Sequence, residues 1–355
     1  MNEESSTKYK YALLFVLALM VAAFRAEAQT NAYHVMKRIP IAGDTGWDYI
    51  TADSEARRLY VPHGTEVVVL DLDSGVIVGK ITDLKGVHGV AVARAFGHGF
   101  ISASDPGSVI MFDLKTLAVL GTQRVGDDPN GIIYDPKTKM VFSADRGSQR
   151  LTALDARTGK IAGVIGNLGG RTEHLAADGS GHVFLNMQDV GKLHELDVRS
   201  YRILKTWDLT PTCVQPSSMD IDTVHHRIFI GCRGGTGAPS LFVVVDAASG
   251  KIVASQPIGP GVDAVEFDST SRFIYVAAGG KGLLFIFRED TPDKYTLVQN
   301  VETLPGARTL ALDQKTGRLY LPVADMGAPP PPTAENPRPR QRMVPGSFSV
   351  LVVGE

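Results

Sequence analysis

Seven polar residues stand at the start of seven similar short segments of this chain. Each is followed by apolar residues, and several of the segments open with turn-forming residues, as in Asp-Pro-Asn-Gly at 128–131. In chain order the seven are Asp48, His88, Asn130, Glu173, Ser217, Asp263 and Arg308. Side chains of these types can bind ions, exchange hydrogen bonds or move protons, so a fold that gathers them would create a site.

Four of the seven carry oxygen atoms of the kind that a hard cation such as calcium or magnesium accepts. They are Asp48, Asn130, Glu173 and Asp263. A cation held there could polarise a carbonyl group while His88 or His174 moved a proton, which is the chemistry of a metal-dependent lactone or ester hydrolase. The alternative is a solvated polar opening, because strand ends need polar partners whether or not a ligand binds.

The same positions could instead bind a polar or anionic ligand without catalysis. For this role the sequence predicts Asp48, His88, Asn130, Glu173, Asp263 and Arg308. Further basic residues follow in the same units, namely Arg146, Arg171, Arg233 and Lys281. Aspartates such as Asp127 and Asp128 would offset part of their charge, so ordinary surface solvation remains open.

The elements that must position these residues form a repeat of about 43 residues, a period typical of propellers and solenoids. Each unit reads as four short strands separated by Gly- and Asp-rich turns, for example "LYVP", "VFSA" and "IYVA" for second strands. Seven units predict an all-β fold, a seven-bladed β-propeller of four-stranded antiparallel blades. The last unit lacks a fourth strand, and the segment 32–43 reads like one, so we expect the N-terminal strand to complete the last blade and close the ring.

This architecture assigns the loops to two faces. The loop that enters each innermost strand and the loop between the second and third strands lie on one face, called here the top face, which is where propeller ligands gather. The segments D-x-x-[ST]-G at 71–75 and 155–159 then fall in tight turns on the bottom face, where Asp and Gly suit the geometry without calcium. His225 and His226 also fall in a bottom turn, and we predict no ligand role for them.

Two stretches resemble a known family. "RRLYVPHGTEVVVLDLDSGVIVGKI" (57–81) and "TSRFIYVAAGGKGLLFIF" (270–287) are similar to the repeats of bacterial YVTN-type, or YncE-like, β-propellers. The resemblance implies an exported seven-bladed propeller, often of unassigned function, with weak single-stranded DNA binding and cell-surface roles for some members. "PNGIIYDP" (129–136) also resembles the strand opening that carries a metal-binding asparagine in gluconolactonase- and regucalcin-type propellers, which have six blades.

The N-terminus reads as an export signal. Lys8 and Lys10 precede the apolar run 11–24, and "AEA" at 26–28 offers a small-x-small cleavage site. The run is shorter than the roughly 20 apolar residues of a membrane span. We therefore expect a signal peptide at residues 1–28, a single propeller domain at 29–355, a periplasmic or secreted location and no membrane span after cleavage. An uncleaved anchor is the alternative.

Charge and cysteine content narrow the partners and the chemistry. The formal net charge of −2 argues against nucleic acid as the main partner. The only two cysteines, Cys213 and Cys232, lie at strand ends that antiparallel pairing brings together, so in an exported protein we expect a disulfide rather than two free thiols. The sequence contains no H-E-x-x-H, C-x-x-C, G-x-S-x-G or P-loop motif.

One proline-rich insertion, residues 327–346, interrupts the last unit between its second and third strands. Its composition favours an extended polyproline conformation without a core of its own. It carries Arg338, Arg340 and Arg342, so it is either a surface excursion or a functional segment, which would be a lid or a partner-docking arm.

Overall fold

The computed structural model describes residues 32–43, 46–331, 333 and 341–355. The predicted export signal, residues 1–28, lies outside these described residues. Residues His34–Gly354 form one unit, in which the described part contains 28 strands and one 3-10 turn at Arg94–Phe96. Within the described ranges, no helix has the length and apolar character needed to cross a bilayer.

The strands, numbered in chain order, form seven four-stranded antiparallel sheets, which are the seven predicted blades. Blades 1 and 2 comprise β2 (Thr51–Asp53), β3 (Arg58–His63), β4 (Glu66–Asp71), β5 (Ile77–Ile81), β6 (Val87–Ala93), β7 (His98–Ala103), β8 (Ser108–Asp113) and β9 (Val119–Arg124). Blades 3 and 4 comprise β10 (Pro129–Asp135), β11 (Met140–Asp145), β12 (Arg150–Asp155), β13 (Ile161–Ile165), β14 (Thr172–Ala177), β15 (His182–Met187), β16 (Lys192–Asp197) and β17 (Arg202–Asp208).

The remaining blades follow the same pattern. Blades 5 and 6 comprise β18 (Pro216–Asp222), β19 (Arg227–Cys232), β20 (Leu241–Asp246), β21 (Ile252–Pro257), β22 (Val262–Asp268), β23 (Phe273–Ala278), β24 (Leu283–Thr291) and β25 (Lys294–Glu302). Blade 7 comprises β26 (Ala311–Asp313), β27 (Arg318–Val323), β28 (Ser349–Gly354) and, as its outer strand, β1 (His34–Pro40).

Ring closure by the N-terminal strand is confirmed. β1 pairs with β28 in antiparallel register from His34 opposite Gly354 to Pro40 opposite Ser349. Arg38 strengthens this outer edge, since its Nη1 lies 3.0 Å from Asp325 Oδ1 and its Nη2 donates to the Ser347 carbonyl at 2.8 Å. Among the described residues, this pairing joins the first and last strands in one sheet and covers an edge that would otherwise be unpaired.

The core lies between neighbouring blades, because a single sheet cannot bury both of its faces. Second and third strands are almost wholly buried, whereas fourth strands are largely exposed. Between blades 5 and 6, for example, the rings of Phe242 and Phe287 stack with centroids 4.7 Å apart. Such contacts fix each blade against the next and make the innermost strands a rigid lining for the central tunnel.

The bottom turns use their aspartates internally. Asp71 Oδ1 accepts hydrogen bonds from the Ser74 backbone at 2.8 Å and from the Ser74 hydroxyl at 2.7 Å, and Asp155 repeats the pattern with Thr158. Gly75 closes the first of these turns with a φ of 76°, which favours glycine. The D-x-x-[ST]-G segments are therefore turns capped by their own side chains.

The proline-rich insertion lies at the top end of blade 7, and its two ends are paired with each other. Met326 forms an isolated β-bridge with Met343, and the Gly327 amide donates to the Arg342 carbonyl at 2.8 Å. Arg342 is exposed. Arg338 and Arg340 lie outside the described residues, so the role predicted for the arm stays a prediction.

Candidate functional site at the tunnel mouth

The residues predicted at the strand openings lie around one end of the central tunnel, and irregular pairing helps to place them. In blades 2 to 6 the register between the first and second strands gains one residue at this point, for example between Pro129 and Ile132 in blade 3. Such a bulge turns a side chain that would otherwise alternate along the strand. Asn130 therefore lies at a break in the in-and-out alternation of side chains along β10, and regular pairing resumes at Ile132.

Close approach of neighbouring strands explains the glycine in "PNG". A Cβ atom on Gly131 would lie 2.6 Å from the Glu173 carbonyl oxygen of the next blade, which is closer than real Cβ contacts. Asn130 is 2% exposed, and its carbonyl oxygen accepts a hydrogen bond from the Ser102 hydroxyl at 2.7 Å. Its side-chain Oδ1 has no hydrogen-bond partner among the described residues.

One side of the mouth is organised around His88. Its Nδ1 lies 2.6 Å from Asp48 Oδ2, and its Nε2 lies 3.7 Å from Asp128 Oδ1. Asp128 in turn accepts a hydrogen bond from Arg146 Nε at 2.7 Å. His88 thus joins the openings of blades 1 and 3.

The other side alternates arginines with buried carboxylates. Arg146 Nη1 lies 3.7 Å from Glu173 Oε2, and Arg233 Nη2 lies 3.9 Å from Glu173 Oε1. Arg233 also bonds to Asp263, whose second oxygen lies 3.1 Å from Arg308 Nε. Arg233 therefore links blades 4, 5 and 6.

These contacts form a closed circle, because Arg308 Nη2 donates to the Trp47 carbonyl at 2.7 Å, next to Asp48. Arg308 also lies over the Trp47 ring, 5.4 Å from its centroid. We call this circle the mouth ring. Its members are Asp48, His88, Asp128, Arg146, Glu173, Arg233, Asp263 and Arg308.

Burial changes the proton affinity of the inner carboxyl groups. Desolvation, with a further contribution from Asp263, raises the pKa of Glu173 to about 7 against the opposing effects of Arg233 and Arg146. Burial also raises the pKa of Asp263, opposed by Arg233. Near neutral pH the charge of the ring therefore depends on pH through Glu173.

The predicted metal set is only partly gathered. Arg233 lies between Glu173 and Asp263 and contacts both, so a guanidinium occupies the place where a cation shared by these two carboxylates would sit. Among the described residues, a group of three His, Cys or acidic side chains with potential ligand atoms within 4.8 Å of one another is found elsewhere, on the bottom face. A metal bound by Asp48, Asn130, Glu173 and Asp263 stays a prediction.

His174, the second predicted proton carrier, lies one residue deeper in the tunnel. Its ring packs against Tyr49 with centroids 5.0 Å apart, and its Nδ1 lacks a hydrogen-bond partner within the described part of the chain. Burial lowers the pKa of His174 to about 4, so the imidazole is neutral at neutral pH. Both rings line a cavity of about 350 Å³ between the innermost strands.

Other predicted top-face residues have separate environments. Ser217 is fully buried and donates its hydroxyl hydrogen to the Val262 carbonyl at 2.8 Å. Arg171 bonds to the side chain of Gln188, and Lys281 is exposed. The sequence predicts Asp128 only as an offsetting charge, whereas the structure places it in the mouth ring, next to His88 and Arg146. Asp128 directly precedes Pro129, the first residue of β10, and this position could have predicted a place at the tunnel mouth.

A disulfide braces the top of blade 5. Cys213 and Cys232 are bonded, as expected from their places in the unit, with Cα atoms 5.3 Å apart. Both residues are buried. The bond ties the segment that leads into β18 to the end of β19, directly before Arg233, and so holds the loop from which Arg233 reaches the mouth ring.

Comparisons with known proteins identify the fold. The chain is similar to a structure titled Kuenenia stuttgartiensis hydrazine synthase, with a TM-score of 0.70, 16% identity and coverage of 79% of this chain and 94% of the other. It is similar to U3-55K with a TM-score of 0.72 and 9% identity, covering 89% and 97%. It is also similar to the WD40 repeats of RRP9, with a TM-score of 0.70 and 9% identity, covering 92% and 98%.

At these identities the likeness shows the β-propeller fold alone. No family model matches the chain, and no curated protein matches it. The resemblance to YVTN-type propellers therefore stays a prediction, while the seven-bladed architecture is established.

Proposed function

We propose that this protein is an exported, non-catalytic binding module that engages a polar ligand or a protein partner through the mouth ring on its top face. The observation that carries the proposal is the circle of charged side chains, contributed by the strand openings and top loops of the seven blades and closed by the Trp47 carbonyl. A preorganised set of donors and acceptors loses little entropy when a partner binds.

The layering of the ring favours carboxylate groups on the partner. The side chains of Glu173 and Asp263 are 4% and 6% exposed, whereas those of Arg233 and Arg308 are 31% and 36% exposed. The buried carboxylates therefore hold the guanidinium groups from below and leave N–H donors facing outward. An arginine fork of this kind matches a carboxylate, whether on a small acid or on an acidic protein segment.

The side of the mouth ring around His88 is acidic, so it favours hydrogen-bond donors on the partner. Asp48 and Asp128 flank His88 there, and their side chains are 19% and 35% exposed. A partner whose acidic group meets the arginines and whose hydrogen-bond donors meet these aspartates would complement the whole ring. The fold shared with WD40 repeats is consistent with protein recognition.

The binding role can be tested with a fluorescein-labelled acidic peptide and a labelled basic peptide of equal length. We expect the acidic peptide to bind the native chain more tightly at low ionic strength. Arg308→Met should weaken that binding by roughly tenfold or more, since a hydrogen bond between charged groups contributes about 1.5–3 kcal/mol. Fluorescence anisotropy gives the dissociation constants.

The matched control is Arg288→Met, which removes an arginine at the bottom end of β24 with a side chain that is 52% exposed. It should leave acidic-peptide binding unchanged. Equal affinity for the two peptides, or an equal loss in both variants, would contradict recognition of carboxylates by the mouth ring. Thermal unfolding of each variant separates lost binding from lost folding.

The hydrolase alternative has its own measurement. Metal content by mass spectrometry, after incubation with calcium or magnesium, should show whether the native chain holds an ion that Asn130→Ala and Asp263→Ala both lose. We expect no such loss, because Arg233 already pairs with Glu173 and Asp263. An ion lost in both variants would support the hypothesis of a metal-dependent hydrolase. Hydrolysis of a panel of lactones and aryl esters would then be measured.

A further inference from the structure

Three potential metal ligands meet on the bottom face, between blades 5 and 6. Asp222 ends β18, His225 lies in the turn that follows, and Glu289 lies near the end of β24. His225 Nδ1 is 2.5 Å from Asp222 Oδ2 and 3.8 Å from Glu289 Oε1. One ligand atom from each residue lies within 4.8 Å of the other two.

Comparison with the other blades shows what is unusual about His225. The residue equivalent to Asp222 in blades 3, 6 and 7 caps its turn by accepting from a hydroxyl three residues later: Thr138, Ser271 and Thr316. In blade 5 the imidazole of His225 takes the place of that hydroxyl. The turn needs a small donor, and this blade supplies a side chain that can also ligate a metal.

Glu289 departs further from the repeat. Its backbone amide donates to the carbonyl of the residue before the second strand, Arg272, at 2.9 Å. The equivalent residue in each of blades 1 to 5 donates the same backbone hydrogen bond, and its side chain is apolar in all five. These residues are Leu72, Leu114, Ala156, Val198 and Ala247. A carboxylate thus stands at a position that otherwise belongs to the apolar packing between blades.

The Glu289 side chain is fully buried, yet neither of its oxygens has a hydrogen-bond partner in the described ranges. Arg272 Nη2 approaches Oε2 at 3.4 Å, which leaves Oε1 directed toward His225. A buried carboxylate without hydrogen bonds is costly, and folds keep one where it has a further task. Two carboxylates and one guanidinium leave a local charge that favours a cation.

The outer hairpin of blade 6 encloses this cluster. β24 and β25 are nine residues each, longer than the other strands that are described. Their turn reaches blade 5, where Arg227 Nε donates to the Pro292 carbonyl at 2.9 Å and Arg227 Nη2 pairs with Asp293 at 2.9 Å. Arg227 is thereby engaged with the hairpin and with Asp246, and not with Glu289.

We propose that Asp222, His225 and Glu289 form a zinc site on the bottom face. One imidazole nitrogen and two carboxylate oxygens suit zinc, whereas calcium takes six to eight oxygens and would find too few here. Arg272 Nη2 lies 3.4 Å from the other oxygen of Glu289, where a guanidinium can pair with a metal-bound carboxylate as its outer-shell partner. The His225 side chain is 37% exposed, which gives the ion a path and leaves space for water as a fourth ligand.

Small movements complete the geometry. Zinc bonds of about 2.0–2.2 Å in a tetrahedral arrangement place ligand atoms about 3.3 Å apart. The His225–Asp222 separation therefore opens from 2.5 Å and the His225–Glu289 separation closes from 3.8 Å. The imidazole binds as the neutral tautomer protonated on Nε2, so its hydrogen bond to Asp222 is replaced by two bonds to the ion.

The test uses the full chain, stripped with a chelator, incubated with zinc sulfate and desalted. We expect one zinc ion per chain by mass spectrometry, with an affinity measured by competition with a chromogenic chelator. Glu289→Leu and His225→Thr should each weaken binding by roughly a hundredfold or more, because each removes a direct ligand and loss of an outer-shell partner alone costs about 10–100-fold. Both variants install the residue type that other blades carry at that position, so both should fold.

Two controls locate the ion. His226→Asn changes the exposed neighbouring histidine, at a φ of 55° that asparagine tolerates, and should retain zinc. Asp263→Ala at the mouth ring should also retain it. Absence of zinc from the native chain, its retention by Glu289→Leu and His225→Thr, or its loss in Asp263→Ala would each overturn the proposal, as would stoichiometric calcium in place of zinc.

Discussion

Glu173 makes the charge of the mouth ring depend on pH near neutrality. It lies between Arg146 and Arg233 at distances too long for hydrogen bonds, 3.7 and 3.9 Å, and its side chain is 4% exposed. Desolvation therefore outweighs the attraction of the two guanidinium groups, and its pKa rises to about 7. Glu173 is therefore a carboxyl group that can take up a proton near neutral pH, and it is not a permanently ionised partner of the two arginines.

This shift predicts a pH-dependent stability. The folded state holds the Glu173 proton up to about pH 7, whereas the unfolded chain releases it near the ordinary value of 4.5. The unfolded state therefore binds fewer protons between these values, and the contribution of Glu173 to stability falls as pH rises from about 4.5 to about 7. Glu173→Gln should remove this loss and gain up to about 3 kcal/mol relative to the native chain at pH 8.

Urea denaturation of both proteins at pH 5 and pH 8 measures the effect. Glu302→Gln, on the exposed outer strand of blade 6, serves as the matched control for removal of a surface carboxylate and should change the free energy of unfolding by no more than about 0.5 kcal/mol. A difference between the native chain and Glu173→Gln that is the same at both pH values would mean that Glu173 is ionised throughout this range.

At the scale of the element, the openings of the innermost strands do the positioning. In blades 2, 4 and 6 a bulge lies at the ring residues His88, Glu173 and Asp263. The loops between second and third strands bring Arg146 and Arg233 to the same mouth. In blade 5 this loop follows Cys232, so the disulfide with Cys213 limits how far its start can move.

Removing this disulfide should destabilise the chain. A cross-link that spans a sequence separation of 19 residues contributes about 3 kcal/mol by the loop-entropy relation. We expect reductant to lower the urea midpoint of the native chain and to leave the double variant Cys213→Ala/Cys232→Ala unchanged. An equal response of both proteins to reductant would show that the disulfide does not support the native state.

At the scale of the whole molecule, stability depends on closing the ring. β1 supplies the outer strand of blade 7, and its partner β28 is the last strand of the chain. The first and last described strands are thus held by backbone hydrogen bonds in one sheet, and no blade can separate without breaking contacts with its neighbours.

Truncation tests this closure. A chain that begins at Ile41 lacks β1 and leaves β28 as an unpaired edge, so we expect a lower unfolding temperature and association into larger species. A chain that begins at Ala32 retains β1 and should remain monodisperse by size-exclusion chromatography. Equal melting and elution of the two chains would show that β1 is dispensable.

Much of this architecture could be read from the sequence because its causes are local and repeated. Strand periodicity, turn residues and the missing fourth strand of the last unit predicted seven blades and the closing role of β1, which pairing with β28 confirms. The polar residue at each opening was visible for the same reason, since a turn followed by an apolar strand leaves one position facing the tunnel.

The contacts among these residues were decided by the tertiary structure. Arg233 reaches Glu173 of blade 4 and Asp263 of blade 6 because the distance between the blades is within the length of an arginine side chain. The sequence repeat does not give the distance between blades, so it could not predict these contacts. The same holds on the bottom face. His225 looked like an ordinary turn residue in sequence, and only the packing of blade 6 against blade 5 brings the buried Glu289 within 3.8 Å of it.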